Sequence, residues 1–151
     1  MRVVIQRVKN ASVTIGGEMV SSIGEGLMLL VGIEESDGDE DIEWLCQKIV
    51  KMRLFNDEEG VMNLPVTSLS DGGMLVVSQF TLMASTKKGN RPSYIRAARP
   101  EISEPLYERF VARLSQEYGH TVQTGRFGAD MQVALVNDGP VTIIIDSKER
   151  Q

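Results

Sequence analysis

The hydroxyl, imidazole and thiol groups of this chain do not assemble an ordinary hydrolytic centre. His120 is the only imidazole and Cys46 the only thiol. His120 follows Gly119, where a helix stop is expected, so it reads as a capping or surface residue rather than the base of a triad. No Gly-x-Ser-x-Gly elbow surrounds any serine, and Cys46 falls on the apolar face of an expected helix. One Cys and one His argue against a Cys/His zinc site. Metal-ligand spacing, a Walker A loop and a dinucleotide fingerprint are all missing from the sequence. No metal or cofactor is expected. If the chain is an enzyme, its rate must come from positioning, from backbone N–H donors, or from a group that the substrate itself carries.

Two short segments carry the more informative chemistry: Ser78-Gln79-Phe80-Thr81-Leu82 and Asn137-Asp138-Gly139-Pro140-Val141-Thr142. Each lies at the end of, or between, β-rich apolar runs, where backbone becomes available to a ligand. The first also suits a plain strand end whose Gln and Thr satisfy backbone groups. In the second, Asn/Asp-Gly is the standard hairpin signal, but Pro140 removes a ladder donor at the start of a strong strand. That points to an edge or an exposed loop. An X–Pro bond has lost most of the trans preference. A cis Gly139–Pro140 unit would hold its carbonyl oxygens outward as a rigid fixture.

The elements that must position these segments follow from the hydrophobic pattern. Strands are expected over Arg2 to Lys9, Ala11 to Ile15 and Glu18 to Ser22, with a Gly16-Gly17 turn between the last two. Leu27 to Ile33 reads as a central buried strand, and Met74 to Leu82 as another. A helix from about Asp39 to Met52 places Ile42, Leu45, Cys46 and Ile49 on one face, with acids first and Lys48 and Lys51 last, as the helix dipole favours. A second helix follows Ser103 as N-cap, with Pro105 in its first turn, an apolar stripe of Leu106, Phe110, Leu114 and Tyr118, and Gly119 as its stop. A short helix near Pro92 to Ala98 is a weaker reading. Thr121 to Thr124, Met131 to Asn137 and Val141 to Asp146 complete the strands. The fold class is α+β: a mostly antiparallel sheet, curled toward a barrel, with two main helices against it.

Length and charge set the outer bounds. The 151 residues suit one domain spanning 1–151, 42% hydrophobic and 25% charged, which is ordinary for a soluble globular chain. The lone cysteine and the lack of a signal-peptide layout suggest the cytoplasm. The apolar run at 27–33 is too short to span a bilayer. The net charge of −5 counts against nucleic acid until its distribution is considered. Glu34 to Glu43 contains seven acids and no base, whereas Gly72 to Pro100 contains five bases (Lys87, Lys88, Arg91, Arg96, Arg99) and no acid. A basic loop is often only a solvated face. Beside a site, it would also attract phosphates while the acidic remainder limits indiscriminate RNA binding.

With both segments in register with this layout, the chain resembles the D-aminoacyl-tRNA deacylases along essentially its whole length. The start Met1-Arg2-Val3-Val4-Ile5-Gln6-Arg7-Val8 and the stretch Gly125-Arg126-Phe127-Gly128-Ala129-Asp130-Met131 are also typical of that family. The resemblance implies a homodimer of β-rich subunits with two sites at the interface. Gly139 and Pro140 of one subunit would enter the site formed by Ser78, Gln79, Phe80 and Thr81 of the other. There they would act as a cis-peptide chiral filter that crowds out an L side chain. Achiral glycine would pass, making mischarged glycyl-tRNA a second substrate. Backbone N–H groups near Phe80 and Thr81 would hold the oxyanion, and Ser78 and Gln79 would fix the adenosine and carbonyl. Thr81 would position substrate while the ribose 2′-hydroxyl assists. Lys87, Lys88 and Arg91 are the candidates for tRNA phosphates; no DNA or membrane partner is expected. Three rivals remain: an RNA-binding module without activity, a structural dimer locked by Gly139–Pro140, and a Cys- or Ser-dependent hydrolase needing His120.

Overall fold

The computed structural model describes residues 1–151. Its organising element is β1, Arg2–Ile15, a single strand of 14 residues. The sequence suggests two strands here; in the single strand, Val3 and Ile5 pack in one core cluster and Val8, Ala11 and Val13 in the other. The register of β1 against its neighbour slips at Val8 to Asn10, so a bulge absorbs the change. After the Gly16-Gly17 turn, β2 (Glu18–Ile23) pairs back on the second half of β1. The first half of β1 pairs with β3 (Gly26–Gly32). The last strand runs antiparallel to β1 along nearly its whole length. β3 is buried on both faces, as its unbroken apolar run requires.

Helix α1 spans Asp39–Lys51, with Ile42, Leu45, Cys46 and Ile49 all buried, as expected. A two-stranded hairpin follows, β4 (Arg53–Asn56) with β5 (Met62–Pro65). Next, β6 (Gly73–Ser78) lies parallel to β3, and after helix α2 (Pro100–Tyr118) the short β7 (Gln123–Thr124) lies parallel to β6. The sheet is mixed: the three ladders of β1 are antiparallel, as expected for most of the sheet, and β3–β6 and β6–β7 are parallel, the whole nearly closed and barrel-like. One sheet face (Val3, Ile5, Leu27, Leu29, Val31, Met74, Val76) packs on both helices in a core of 24 buried residues. The opposite face carries a second cluster of Val8, Ala11, Val13, Met28, Leu75 and Val77.

Helix α2 is longer than expected, Pro100–Tyr118. Pro100, not Ser103, opens it: proline's fixed φ suits a first helical position, and its missing N–H costs nothing there. The residue before it, Arg99, is extended, as a pre-proline residue must be. Ser103 is inside the helix, its hydroxyl donating to the Arg99 carbonyl at 3.0 Å, and Pro105 is also interior. Gly119, with φ +81°, caps the end as expected. The short helix near Pro92 to Ala98 does not form. Instead, Ser85 and Ser93 exchange backbone hydrogen bonds, and Ala97 bridges to Glu34. Those extended pairings use the backbone groups a helix would need.

Met131 to Asn137 and Val141 to Asp146 are not two strands but one, β8 (Gln132–Asp146), which has only β1 as neighbour. Pro140 thus sits on an edge strand. Gln6 pairs with Thr142 and Val8 with Asn137, so residues 138–141 face the single residue Arg7 as a wide bulge.

A buried polar cluster locks the strand ends to α1. The Met1 ammonium, fully buried, donates to Asp37 and to Ser147. Ser147 in turn donates to Asp41 at 2.6 Å, and Lys148 reaches Asp41 at 3.1 Å. Burial alone would raise the Asp41 carboxyl, but bonds from Ser147, the Gly38 N–H and Lys148 outweigh it and lower its pKa from 3.8. A carboxyl lowered on folding stabilises the fold above its unfolded pKa and loses that contribution as pH falls through the folded one. Asp37 shifts the other way, chiefly through burial, so only a substitution at Asp41 isolates the effect. Asp41→Asn is expected to lower stability at pH 7 by about 1–3 kcal/mol. The gap should close below about pH 4, in denaturation curves at several pH values. A gap independent of pH would mean Asp41 acts through packing alone.

Candidate active site

β6 stops at Ser78, and the chain turns immediately. Gln79 donates its backbone N–H to the Val31 carbonyl at 2.8 Å, then Phe80–Met83 form a short 3-10 turn. The expected strand to Leu82 is broken there because the turn presses against β3. Only Gly32 permits that approach: a Cβ there would lie 2.8 Å from Leu82 Cβ and 3.1 Å from the Gln79 carbonyl oxygen. The first bond of the turn runs from the Leu82 N–H to the Gln79 carbonyl at 3.3 Å. The N–H groups of Phe80 and Thr81 precede that first donor, so they belong to the end of the turn that ordinarily lacks partners within it.

The turn borders a pocket of about 510 Å³ at the end of β6. Ser78, Gln79 and Phe80 form one side, Ala98, Pro100 and Ser103 of the α2 entrance another, and Phe127 to Ala129 with Met131 and Val133 the rest. Phe127 is held by Tyr107 at a ring separation of 5.8 Å, and the Tyr107 hydroxyl donates to the Val76 carbonyl at 3.0 Å. Burial pushes that phenol up to about 12, so it remains a neutral donor. Of the expected site residues, Ser78, Gln79 and Phe80 meet in this pocket; Thr81 is not among its lining residues. Its hydroxyl accepts a hydrogen bond from the Gln79 side-chain amide. Phe127, Ala98 and Ser103 are not among the site residues to which the sequence points, although the glycine-flanked run 125–128 marks an irregular loop.

Gly139 and Pro140 are exposed in the β8 bulge, joined by a cis peptide, and do not line the pocket of their own chain. Gly139 has φ +128°, a conformation L side chains rarely adopt. Arg7, almost buried, secures the bulge. It donates to the Asp138 carbonyl at 3.1 Å and to the Leu54 carbonyl at 2.7 Å, and pairs with the Asp138 carboxylate at 3.5 Å. Arg7 is a further residue that sequence reasoning misses.

The basic segment divides in two. Arg96 pairs with Glu34 at 3.0 Å and Arg99 with Glu35 at 3.8 Å, so the acidic turn neutralises both. Lys87, Lys88 and Arg91 are exposed on the loop closed by Ser85 and Ser93, and none forms an ion pair. Cys46 is buried, and burial, ahead of nearby charges, pushes its thiol up to about 12. A thiol so placed is inert. His120 lies against Tyr118 beside Thr67 and Asp71, in a hollow separate from the Ser78 pocket. No helix is long and apolar enough to cross a membrane.

Comparison with known proteins fits this architecture. The family model described as D-Tyr-tRNA(Tyr) deacylase matches residues 4–146. A Bacteroides thetaiotaomicron protein named D-aminoacyl-tRNA deacylase is 65% identical over 152 residues, covering 100% of both chains. The solved structure of a protein named c-Myc DNA Unwinding Element Binding Protein is similar with a TM-score of 0.91 and 41% identity, over 97% of this chain and 98% of its own. Another, of a probable eukaryotic D-amino acid tRNA deacylase, has a TM-score of 0.81 at 16% identity, covering 95% and 97%, and shows likeness of fold. The chain belongs to the D-Tyr-tRNA(Tyr) deacylase family. That membership makes it a hydrolase of the aminoacyl-tRNA ester bond.

Proposed function

We propose that residues 1–151 act as one D-aminoacyl-tRNA deacylase domain in the cytoplasm, paired as a homodimer with a site on each side of the interface. Water attacks the ester carbonyl, the bond to the ribose oxygen breaks, and free D-amino acid and tRNA leave. The N–H groups of Phe80 and Thr81 stabilise the developing oxyanion. Ser78 and Gln79 hold the terminal adenosine and the carbonyl, and the substrate's own 2′-hydroxyl assists. The 78–81 side chains offer no group that titrates near neutral pH, so positioning must supply most of the rate.

The observation that carries the reading is the separation of the bulge from the pocket. Gly139 and Pro140 are held out by Arg7, exposed, on an edge strand, and away from the pocket of their own chain. A second protomer can bring an identical bulge to that pocket. The outer face of β8 supports such pairing, since Val136 and Ile144 are 52% and 66% exposed. In this arrangement the bulge crowds the side on which an L residue would place its side chain. D residues and glycine pass, so mischarged glycyl-tRNA is a second substrate. Lys87, Lys88 and Arg91 contact the phosphates of the acceptor end. DNA binding, the property for which the 41%-identical protein is named, is not expected here. The chain is acidic overall, and Lys87, Lys88 and Arg91 are gathered on one short loop rather than spread as a basic face.

The deciding experiment compares amino-acid release from D-tyrosyl-tRNA and L-tyrosyl-tRNA, with the association state measured by light scattering. A dimer that hydrolyses the D ester at least about a hundredfold faster fits a filter worth roughly 3 kcal/mol. Equal rates on both esters would remove the chiral filter. A monomer with full selectivity would remove the cross-subunit arrangement.

A further inference from the structure

Three large apolar side chains stand exposed at the pocket edge and on the segment that touches it. Phe80 is 57% exposed, Tyr94 41% and Ile95 89%. Phe80 lines the pocket, and the Tyr94 ring meets it edge to face, with centroids 5.2 Å apart. An apolar patch of this kind on a chain this acidic calls for an occupant. The loop that presents it is fixed on both sides. Ser85 and Ser93 exchange backbone bonds of 2.8 and 2.9 Å before Tyr94. After Ile95, Arg96 bonds Glu34 at 3.0 Å, and the Ala98 N–H bonds the Ile33 carbonyl at 2.9 Å.

Charge identifies the occupant. Within the first clamp lie Lys87, Lys88 and Arg91, exposed and unpaired. An aromatic and apolar shelf beside unneutralised cations is the composition that binds single-stranded nucleic acid. The π-face takes a base, and the cations take the backbone. The acceptor end of a tRNA is single-stranded, and its last base belongs in the pocket. The shelf adjoins the pocket through the contact of the Tyr94 ring with Phe80, within reach of a nucleotide next to one held in the pocket.

We propose that Tyr94 and Ile95 form a stacking platform for the unpaired nucleotide preceding the terminal adenosine, with Lys87, Lys88 and Arg91 on its phosphates. The proposal rests on the deacylase reading and adds a second recognition point to it. The platform makes the enzyme measure the length of the 3′ end as well as the aminoacyl group.

Two substrates separate the possibilities: D-tyrosyl-tRNA, and D-tyrosyl-adenosine, which ends where the pocket ends. Tyr94→Ala is expected to lower kcat/KM on the tRNA by about tenfold, mostly through KM, as loss of one stacked base implies. Ile95→Ser should lower it by about threefold, and Tyr94→Phe should keep the parent value. On D-tyrosyl-adenosine all three variants should match the parent. Equal losses on both substrates would mean that Tyr94 merely props Phe80, and the platform is excluded. Unchanged tRNA kinetics, or a shift in association state on replacing Tyr94 or Ile95, also overturns it, the latter by giving the patch to a second copy of the chain. A parent inactive on both esters refutes the deacylase reading itself and takes the platform with it, a result distinct from any pattern among the variants.

Discussion

Arg7→Ala is expected to collapse the preference for D over L esters by about a hundredfold, the scale on which a misplacement near 1 Å acts on a reacting group. The guanidinium ties the bulge to the rest of the fold. It spans the Leu54 carbonyl at 2.7 Å and the Asp138 carbonyl at 3.1 Å, and a Cβ on Gly139 would sit 3.1 Å from its Nη2. Removing it leaves the Leu54 carbonyl without that donor and Asp138 with Lys9 alone, at 3.6 Å and largely in solvent. The cost in stability is about 2–3 kcal/mol, less than for a fully buried pair because Asp138 keeps some water. Arg7→Lys should fall between the two, since one ammonium cannot reproduce the planar fork. The measurement is amino-acid release from D- and L-tyrosyl-tRNA at a temperature where circular dichroism shows each variant folded. A folded Arg7→Ala protein with its D-to-L ratio intact would show that the bulge needs no anchor, and would count heavily against the bulge as the filter.

Arg7 also shows where sequence reasoning stops. Val3 and Ile5 before it, and Ala11 and Val13 after it, each announce a strand by alternation, because burial on a sheet face imposes a period of two, although a bulge puts the two pairs on opposite faces. A charged residue in that series looks like an outward position. Its true environment depends on pairing with β8, more than a hundred residues away, and on a bulge that sets residues 138–141 against it. Local pattern carries no such information. The same limit explains β8, where the Asn-Asp-Gly signal favours a turn and long pairing with β1 overrides it. At Ser103 two local signals compete. Pro100 prevails over the hydroxyl because a fixed φ starts a helix without needing any cap bond. By contrast, α1, the two-faced burial of β3 and the stop at Gly119 are legible, each being set by residues within a few positions of one another. Gathering Ser78, Gln79 and Phe80 at one pocket is legible as a segment. Its far wall, Phe127 to Met131, arrives by tertiary packing.

The second large effect distinguishes a side-chain nucleophile from catalysis by positioning. The Thr81 hydroxyl accepts from the Gln79 amide without lining the pocket. A hydroxyl engaged in that way, with no adjacent base, is a weak nucleophile. It is well placed, however, to fix the Gln79 side chain at the pocket edge. Thr81→Ala should therefore retain turnover to within about tenfold, since it removes one hydrogen bond from a positioning residue. In the proposed mechanism Gln79→Ala removes the pocket-lining side chain that holds the ester carbonyl, and should cost about a hundredfold or more in kcat, as loss of a transition-state donor does. Thr81→Ser, which restores the acceptor, should recover the parent rate and parent pH profile. Single-turnover measurements with saturating enzyme read the chemical step directly. If Thr81→Ala abolished that step while D-tyrosyl-adenosine still bound with parent affinity, the hydroxyl would have to attack the ester itself. An acyl-enzyme on Thr81 would then replace direct attack by water, and the assisting role of the substrate's 2′-hydroxyl would no longer be needed.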